Sequence, residues 1–227
     1  MPFSDHLLEV GSEVWAAQKR HPFVRGLADG SLDAGAFRHW VEQDYRYLLD
    51  YARAFAVLGT KARDEETMTH CFEVARAVVG EETDLHREFA ADYGLSAADL
   101  AAVEKAPTCV AYTNYLLRTA RERPLAVGAA AVYPCGQGYL DVAEHVAERA
   151  DGEHRYTPFV EKYTGEAFRE SVAWMRAFVD RCADERPSLR DEMEAAFLTS
   201  ANLEHAFWEM AYAREGWPAG GATREVA

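Results

Sequence analysis

The chain has few lysines, no closely paired cysteines and no long apolar run, and these absences exclude several classes of protein. Its 227 residues carry 38 acidic and 24 basic side chains, which gives a net charge of −14. A nucleic-acid-binding domain needs a basic surface instead. No apolar segment approaches the roughly 18 residues that a membrane-spanning helix requires. We therefore expect neither a nucleic-acid partner nor a membrane protein.

The N-terminus and the cysteines predict the compartment. No basic segment followed by an apolar stretch opens the chain, so no signal peptide is predicted. The four cysteines have neither CxxC spacing nor metal-ligand spacing with histidine; they are Cys71, Cys109, Cys135 and Cys182. This usage is typical of free thiols in a reducing compartment, and we expect a cytoplasmic protein. The acidic, lysine-poor composition fits a high-salt cytoplasm and a high-GC genome equally well.

Nearly every segment repeats its apolar residues at the helical period, and alternating strand patterns are absent. Glycine, proline and serine breaks divide the pattern into predicted helices near residues 4–19, 22–29, 33–62, 66–93, 96–104, 107–122, 125–149, 155–164, 166–183 and 187–214. No linker is long enough to separate two domains. The sequence predicts a single all-α helical bundle over 1–217 and a disordered tail over 218–227.

One helical segment is interrupted around a cysteine. Pro134 removes an amide donor, and Gly136 and Gly138 each weaken the helix by about 1 kcal/mol relative to alanine. Cys135 lies between them, and Tyr139 follows it by four residues, so their side chains share a face. This pattern favours a thiol in an open pocket over a regular buried helix.

Two carboxylates occupy positions where the helical pattern calls for core. Asp44 lies within an apolar stripe of helix 33–62, and Glu204 lies within one of helix 187–214. A buried carboxylate needs hydrogen-bond donors or takes up a proton. Asp44 is either bonded to backbone or a tyrosine or points into a ligand cavity. Glu204 is either paired with an arginine or tyrosine or acts as a general acid.

Further polar groups share these inward faces. Glu82 and His86 are four residues apart, a spacing that can bind metal in a bundle, but no repeated Glu-x-x-His motif accompanies them. We therefore favour a structural pair or a pair that supports the site from behind. Four tyrosines also lie on inward stripes, although each alone is more typical of a core: Tyr47, Tyr112, Tyr139 and Tyr163.

Together these groups permit a specific chemistry. A thiolate attacks an electron-poor carbon, a carboxylic acid protonates the adjacent nitrogen or leaving group, and a second carboxylate holds an amino-substituted ring. Aromatic rings enclose a flat substrate. No histidine lies beside Cys135 in sequence, so a papain-like Cys–His pair is not supported.

Over nearly its whole length the chain resembles the TenA family (thiaminase II, aminopyrimidine aminohydrolase). The motifs that carry the resemblance are His21-Pro22-Phe23, Gln43-Asp44-Tyr45 with Tyr47, Pro134-Cys135 with Tyr139, and Phe207-Trp208-Glu209-Met210-Ala211-Tyr212 through Glu215-Gly216-Trp217-Pro218. The resemblance implies a haem-oxygenase-like bundle, commonly a homotetramer, without a metal or organic cofactor. The implied reaction converts 4-amino-5-aminomethyl-2-methylpyrimidine to the hydroxymethyl pyrimidine of thiamin salvage. Many family members also cleave thiamin.

The resemblance also implies roles for the inward-facing groups. Cys135 would be the nucleophile, and Glu204 would protonate the ring nitrogen and assist the leaving group. Asp44 would hydrogen-bond the 4-amino group and a ring nitrogen. The tyrosines would bind or enclose the ring, Tyr112 and Tyr139 near the cysteine and Tyr47 and Tyr163 as aromatic walls.

The chain departs from the family after the cysteine. Family members usually have bulky residues there, commonly a tryptophan two positions on, whereas this chain has Gly136-Gln137-Gly138. The lost bulk either enlarges the pocket or lets another helix approach. We expect it to bear on the substrate.

Two other functions stay open. A di-iron oxidase on the same bundle would draw its ligands from Glu82, His86, and Glu204 or His205. A non-catalytic pyrimidine-binding or regulatory protein would bind without turnover.

Overall fold

The computed structural model describes residues 1–150 and 152–218, and this part of the chain contains helices and loops but no strand. Its α-helices are α1 Phe3–Val10, α2 Ser12–Arg20, α3 Pro22–Asp29, α4 Ala34–Lys61, α5 Glu65–Ala77, α6 Thr83–Ala91, α7 Ala97–Ala102, α8 Pro107–Glu122, α9 Leu125–Ala147, α10 Thr157–Thr164, α11 Glu166–Glu185 and α12 Arg190–Ala213. A π-helical segment, Val78–Glu82, joins α5 to α6, and a 3-10 turn precedes α12. The all-α prediction is confirmed. None of the described helices has the length and apolar character needed to cross a membrane.

Two predicted helices are divided in the structure. The helix predicted over 4–19 breaks at Gly11, where an added Cβ would lie only 2.9 Å from the Phe197 ring of α12. The helix predicted over 66–93 contains the π-helical segment and ends at Ala91. Apart from Pro218, the predicted disordered tail lies outside the described residues.

Helix α9 is the central helix of the bundle. It packs against α4, α8, α10, α11 and α12, and all of its residues from 126 to 139 are buried. Its alanine-, glycine- and valine-rich sequence has no polar face over this stretch, as expected for a helix surrounded by others. At Gly128 the Leu58 side chain of α4 occupies the place of a side chain. Groups carried by the middle of α9 therefore lie in the core. The helix runs through Pro134, Gly136 and Gly138 without a break, so the predicted interruption around Cys135 is wrong.

Helix α4 crosses the core beside α9. The Asp33 side chain caps its N-terminus by accepting a hydrogen bond from the Ala36 amide at 3.0 Å. Its 28 residues contact α5, α6, α8, α9 and α12. The buried face carries Asp44, Tyr47 and Tyr51. These residues therefore face the interior of the bundle.

The segment after α12 returns to the start of α8. The Glu215 carboxylate accepts a hydrogen bond from the Thr108 amide at 2.9 Å, and the Trp217 indole donates to the Lys105 carbonyl at 3.0 Å. A carboxylate at a helix N-terminus is stabilised by the helix dipole. The C-terminal motif therefore joins α12 to α8, the helix that carries Tyr112.

Candidate active site

A narrow, partly open cavity lies beside the middle of α9, and its volume is about 30 Å³. Its walls come from α4, α5, the π-helical segment, α9, α10 and α11. That volume holds about one or two water molecules, so the side chains of the walls must move apart to admit a substituted ring into this cavity. Four of the predicted site residues line it, namely Asp44, Cys135, Tyr139 and Tyr163.

Asp44 is 2 % exposed, and both of its carboxylate oxygens are hydrogen-bonded. Oδ2 lies 2.7 Å from Nε2 of His86, and Oδ1 accepts a hydrogen bond from the Tyr139 hydroxyl at 3.1 Å. The other ring nitrogen of His86 lies 2.7 Å from the carbonyl oxygen of Glu82. Because both ring nitrogens face oxygen acceptors, both donate, and His86 is an imidazolium. Asp44 and His86 therefore form a buried ion pair.

The pKa of His86 agrees with this assignment. Burial lowers the pKa, but the hydrogen bond and the charge of Asp44 raise it by more, so the net shift is upward. The preference for a supporting pair at Glu82 and His86 is partly confirmed, since the imidazole binds Asp44 from behind the cavity. Glu82 itself lines the cavity.

Tyr139 is held between two partners. The Trp40 indole donates to its hydroxyl oxygen at 3.1 Å, and that hydroxyl in turn donates to Asp44. The Tyr139 ring lies 4.9 Å from the ring of Tyr163 and 5.1 Å from that of Trp208. These contacts place two tyrosine rings side by side on the cavity wall.

Glu204 is as deeply buried as Asp44, but no described residue forms an ion pair with it. Its Oε1 accepts a hydrogen bond from the Tyr112 hydroxyl at 2.6 Å. Burial raises the pKa of Glu204 to about 8, although the Tyr112 hydrogen bond and the nearby Cys135 thiol lower it. The carboxyl is therefore largely protonated at neutral pH, which is the state of a general acid.

Cys135 lines the cavity and also lies close to Glu204. Burial raises the pKa of the thiol, and the charge of Glu204 raises it further, whereas the nearby Tyr47 hydroxyl lowers it. That hydroxyl makes no hydrogen bond within the described residues. Tyr47, Tyr112 and Glu204 therefore form a buried layer beside the thiol, and they do not line the cavity as the structure has it.

Helix α11 packs against α9 where the sequence departs from the family pattern, just after Cys135. A Cβ on Gly136 would lie 2.9 Å from Cε of Met175, so this glycine lets α11 approach. At Gly138 the corresponding distances are 3.6 Å or more, which is ordinary contact. Gln137 points elsewhere, because it accepts a hydrogen bond from Tyr133 and donates to Asp141. Of the two alternatives for Gly136-Gln137-Gly138, the structure shows the closer approach of another helix, and it does so at Gly136, the one of the three that lines the cavity.

Two titratable residues that line the cavity were not among the predicted site residues. Tyr51 lines the cavity and donates to the Val132 carbonyl at 2.9 Å, in the turn before Cys135. Its position seven residues after Asp44, two helical turns along the same face, was the available signal. Glu82 is the second, and its only signal was the four-residue spacing to His86.

Within residues 1–150 and 152–218, no three histidine, cysteine, aspartate or glutamate side chains gather closely enough to hold a metal ion. The ligand set of the di-iron hypothesis is therefore not assembled in this part of the chain; it comprised Glu82, His86, Glu204 and His205.

The fold and site define the chain as a haem-oxygenase-like helical bundle with a buried thiol–carboxyl pair. A structure from Shewanella denitrificans, described as a domain of unknown function with a heme oxygenase-like fold, superposes with a TM-score of 0.73 at 14 % identity, covering 94 % of this chain and 93 % of that one. The chain belongs to the TENA/THI-4/PQQC family, whose family model matches residues 12–214. The resemblance to TenA proteins is confirmed.

Individual relatives cover nearly the whole chain. An aminopyrimidine aminohydrolase of Halalkalibacterium halodurans is 36 % identical over 220 residues, 96 % of this chain and 98 % of the relative. A TenA homologue from P. horikoshii superposes with a TM-score of 0.87 at 27 % identity, covering 94 % of this chain and 99 % of that one.

Proposed function

We propose that this chain is an aminopyrimidine aminohydrolase of thiamin salvage. It converts 4-amino-5-aminomethyl-2-methylpyrimidine and water into the 5-hydroxymethyl pyrimidine and ammonia. The relative of that name, aligned over almost the whole chain, supports the reaction. The observation that carries the chemistry is the meeting of Cys135 and Asp44 on one cavity, with Glu204 beside the thiol.

Asp44 receives the amino edge of the ring. Its carboxylate keeps free lone pairs after bonding to His86 and Tyr139, so it can accept hydrogen bonds from the 4-amino group and from the adjacent ring nitrogen when that nitrogen is protonated. Tyr139 and Tyr163 enclose the flat ring. The ring extends to Cys135, so the ring lies next to Glu204, which is beside the thiol.

Glu204 moves the proton that the addition requires. It gives its proton to the ring nitrogen next to the attacked carbon and takes the thiol proton of Cys135 as the carbon–sulfur bond forms. The thiol proton thus reaches the ring through the carboxyl. No net charge is separated, which suits a desolvated cavity.

The adduct then loses ammonia. The exocyclic carbon–nitrogen bond of the protonated amine breaks with its electron pair on nitrogen, so neutral ammonia leaves, and the 4-amino group supplies the replacing pair through the ring. Water adds to the exocyclic carbon and gives its proton to the departing ammonia. Loss of the Cys135 sulfur, which recovers its proton from the ring nitrogen through Glu204, restores the aromatic ring.

Ammonia release tests this proposal. Cys135→Ser should lower turnover of the aminomethyl pyrimidine by about 10³-fold or more, as loss of a nucleophile does. Cys182→Ser, another buried cysteine outside the cavity, is the matched control and should retain activity. Near-normal turnover by Cys135→Ser contradicts the mechanism. Tight pyrimidine binding by the unmodified protein without turnover, of this compound or of thiamin, favours the non-catalytic alternative.

We propose further that residues 1–217 form one domain, that four copies assemble as a homotetramer, and that the enzyme acts in the cytoplasm without a metal or organic cofactor. All four cysteines are unpaired, which supports a reducing compartment. Light scattering of the purified protein measures the assembly, and a monomer mass contradicts the tetramer.

A further inference from the structure

Glu82 stands where the regular helix is interrupted against the cavity. It is the last residue of the π-helical segment between α5 and α6, and its partly buried side chain lines the cavity. A π turn adds one residue to a helix and changes where the following side chains point, and such turns recur at functional sites. The interruption therefore accompanies a carboxyl group in the cavity wall.

The Glu82 carboxylate lacks a partner of its own. Its backbone carbonyl binds His86, but no described residue forms an ion pair or hydrogen bond with its carboxylate. The imidazolium of His86 is engaged by Asp44, and Lys162 acts on Glu82 only through its charge. Burial raises the pKa of Glu82 to about 7. A carboxylate that is desolvated and unpaired is ready to receive a cation.

Glu82 faces the same space as the nucleophile. Its charge raises the pKa of Cys135, Tyr51 and Tyr163, and the charge of Asp44 in turn raises the pKa of Glu82. These four neighbours all line the cavity. A ligand that Asp44 holds and Cys135 attacks is therefore close enough to interact with the charge of Glu82.

We propose that Glu82 binds the primary ammonium of the aminomethyl substituent and so selects the amine substrate over the hydroxymethyl product. This rests on the proposed function. The sulfur attacks C6, because only that adduct leaves the 4-amino group conjugated with the aminomethyl carbon. The aminomethyl-bearing C5 then lies between C4, which bears the 4-amino group, and C6. A ring bound by Asp44 and Cys135 thus directs this substituent toward the wall between them, and Glu82 lines the same cavity.

The ammonium form is also the one that the reaction needs. When the carbon–nitrogen bond breaks with its electron pair on nitrogen, a protonated amine leaves as neutral ammonia, whereas an unprotonated one would have to leave as an amide anion. A carboxylate beside the ammonium favours its protonated state. The Glu82 carboxylate therefore binds the substituent in the state that can leave.

Binding measured without turnover tests the assignment. In a Cys135→Ser background, calorimetry at pH 8 compares the aminomethyl and hydroxymethyl pyrimidines with and without Glu82→Gln. This substitution keeps the shape of the side chain and the carbonyl that binds His86. We expect the aminomethyl compound to lose about 10- to 100-fold in affinity, as for one charge-assisted hydrogen bond, and the hydroxymethyl compound to change less than about twofold. Glu81→Gln, at an exposed neighbouring position, should change neither.

The outcomes separate the two proposals. If the parent protein binds both pyrimidines and Glu82→Gln leaves both affinities unchanged, or weakens both alike, the assignment of Glu82 is overturned while the proposed function stands. If the parent protein binds neither pyrimidine, the proposed function fails, and the assignment fails with it.

Discussion

Asp44 and Glu204 are both 2 % exposed, yet their surroundings give them opposite properties. Asp44 faces the His86 imidazolium and the Tyr139 hydroxyl, so its negative charge is neutralised by an ion pair. Glu204 faces only a tyrosine hydroxyl and a thiol, and burial raises its pKa to about 8. One carboxyl is therefore a fixed anion that can hold an amino group, and the other is an acid that can donate a proton.

This difference shows that partners, rather than burial, decide what a core carboxyl does. A full opposite charge offsets the desolvation of an anion, whereas a neutral hydroxyl offsets only part of it. Two buried acids in such different surroundings, one ion-paired and one with a raised pKa, are characteristic of acid–base sites. A single substitution can change the surroundings of Asp44, and another can remove the proton that Glu204 carries.

The largest effect is expected at the acid. Glu204→Gln removes the transferable proton, and we expect kcat for ammonia release to fall by about 10²- to 10⁴-fold, the usual contribution of a general acid. Glu209→Gln, an exposed glutamate of the same helix, is the control and should retain activity. A kcat within a few-fold of the unmodified enzyme would remove Glu204 from the mechanism.

The same substitution should stabilise the protein near neutral pH. The folded pKa of Glu204 is about 8, above its ordinary value of 4.5, so the unfolded chain releases this proton first as the pH rises. Stability is then lost between these two values, and Glu204→Gln avoids that loss. Urea unfolding at pH 7 should give a higher free energy for the variant, and the difference should vanish below pH 4.5.

The next largest effect is expected at the ion pair. His86→Leu leaves the buried Asp44 without its cation and should cost about 3 to 5 kcal/mol in the free energy of unfolding. His6→Leu breaks the half-exposed pair with Glu194 and should cost less than about 1 kcal/mol. Equal losses in urea unfolding would contradict the buried ion pair.

The pair also predicts a pH dependence. The folded pKa of His86 lies above its ordinary value of 6.5, so the stability from the pair is fully present below pH 6.5 and is lost as the pH rises through the folded pKa. His86→Leu should abolish that part of the pH dependence.

The smallest effect is expected from the hydroxyl beside Glu204. The Tyr112 hydrogen bond lowers the pKa of Glu204, so Tyr112→Phe should raise it. Because the proposed mechanism uses Glu204 in its protonated form, the fall of kcat at alkaline pH should move to higher pH. Tyr115→Phe, on the same helix, should leave that fall in place, since its hydroxyl meets the Ala196 carbonyl. A downward shift in Tyr112→Phe would contradict the assigned role.

Much of the site could be predicted because helical periodicity reports which side chains face inward. It placed Asp44 and Glu204 on core faces and Cys135 on one face with Tyr139, and the structure has them buried. Periodicity does not report which helix lies opposite. The contact of His86 with Asp44, 42 residues apart, was therefore beyond it. Periodicity also could not predict that Glu204 lies outside the cavity wall.

The sequence by itself determined the helices, the buried thiol and the two core carboxyls, because local propensity and the 3.6-residue period act within each segment. Only the tertiary structure decided the charge of those carboxyls and the shape of the cavity. Electrostatic partners and close packing join residues far apart in the chain: His86 makes Asp44 an ion pair, and Met175 fills the space that Gly136 leaves.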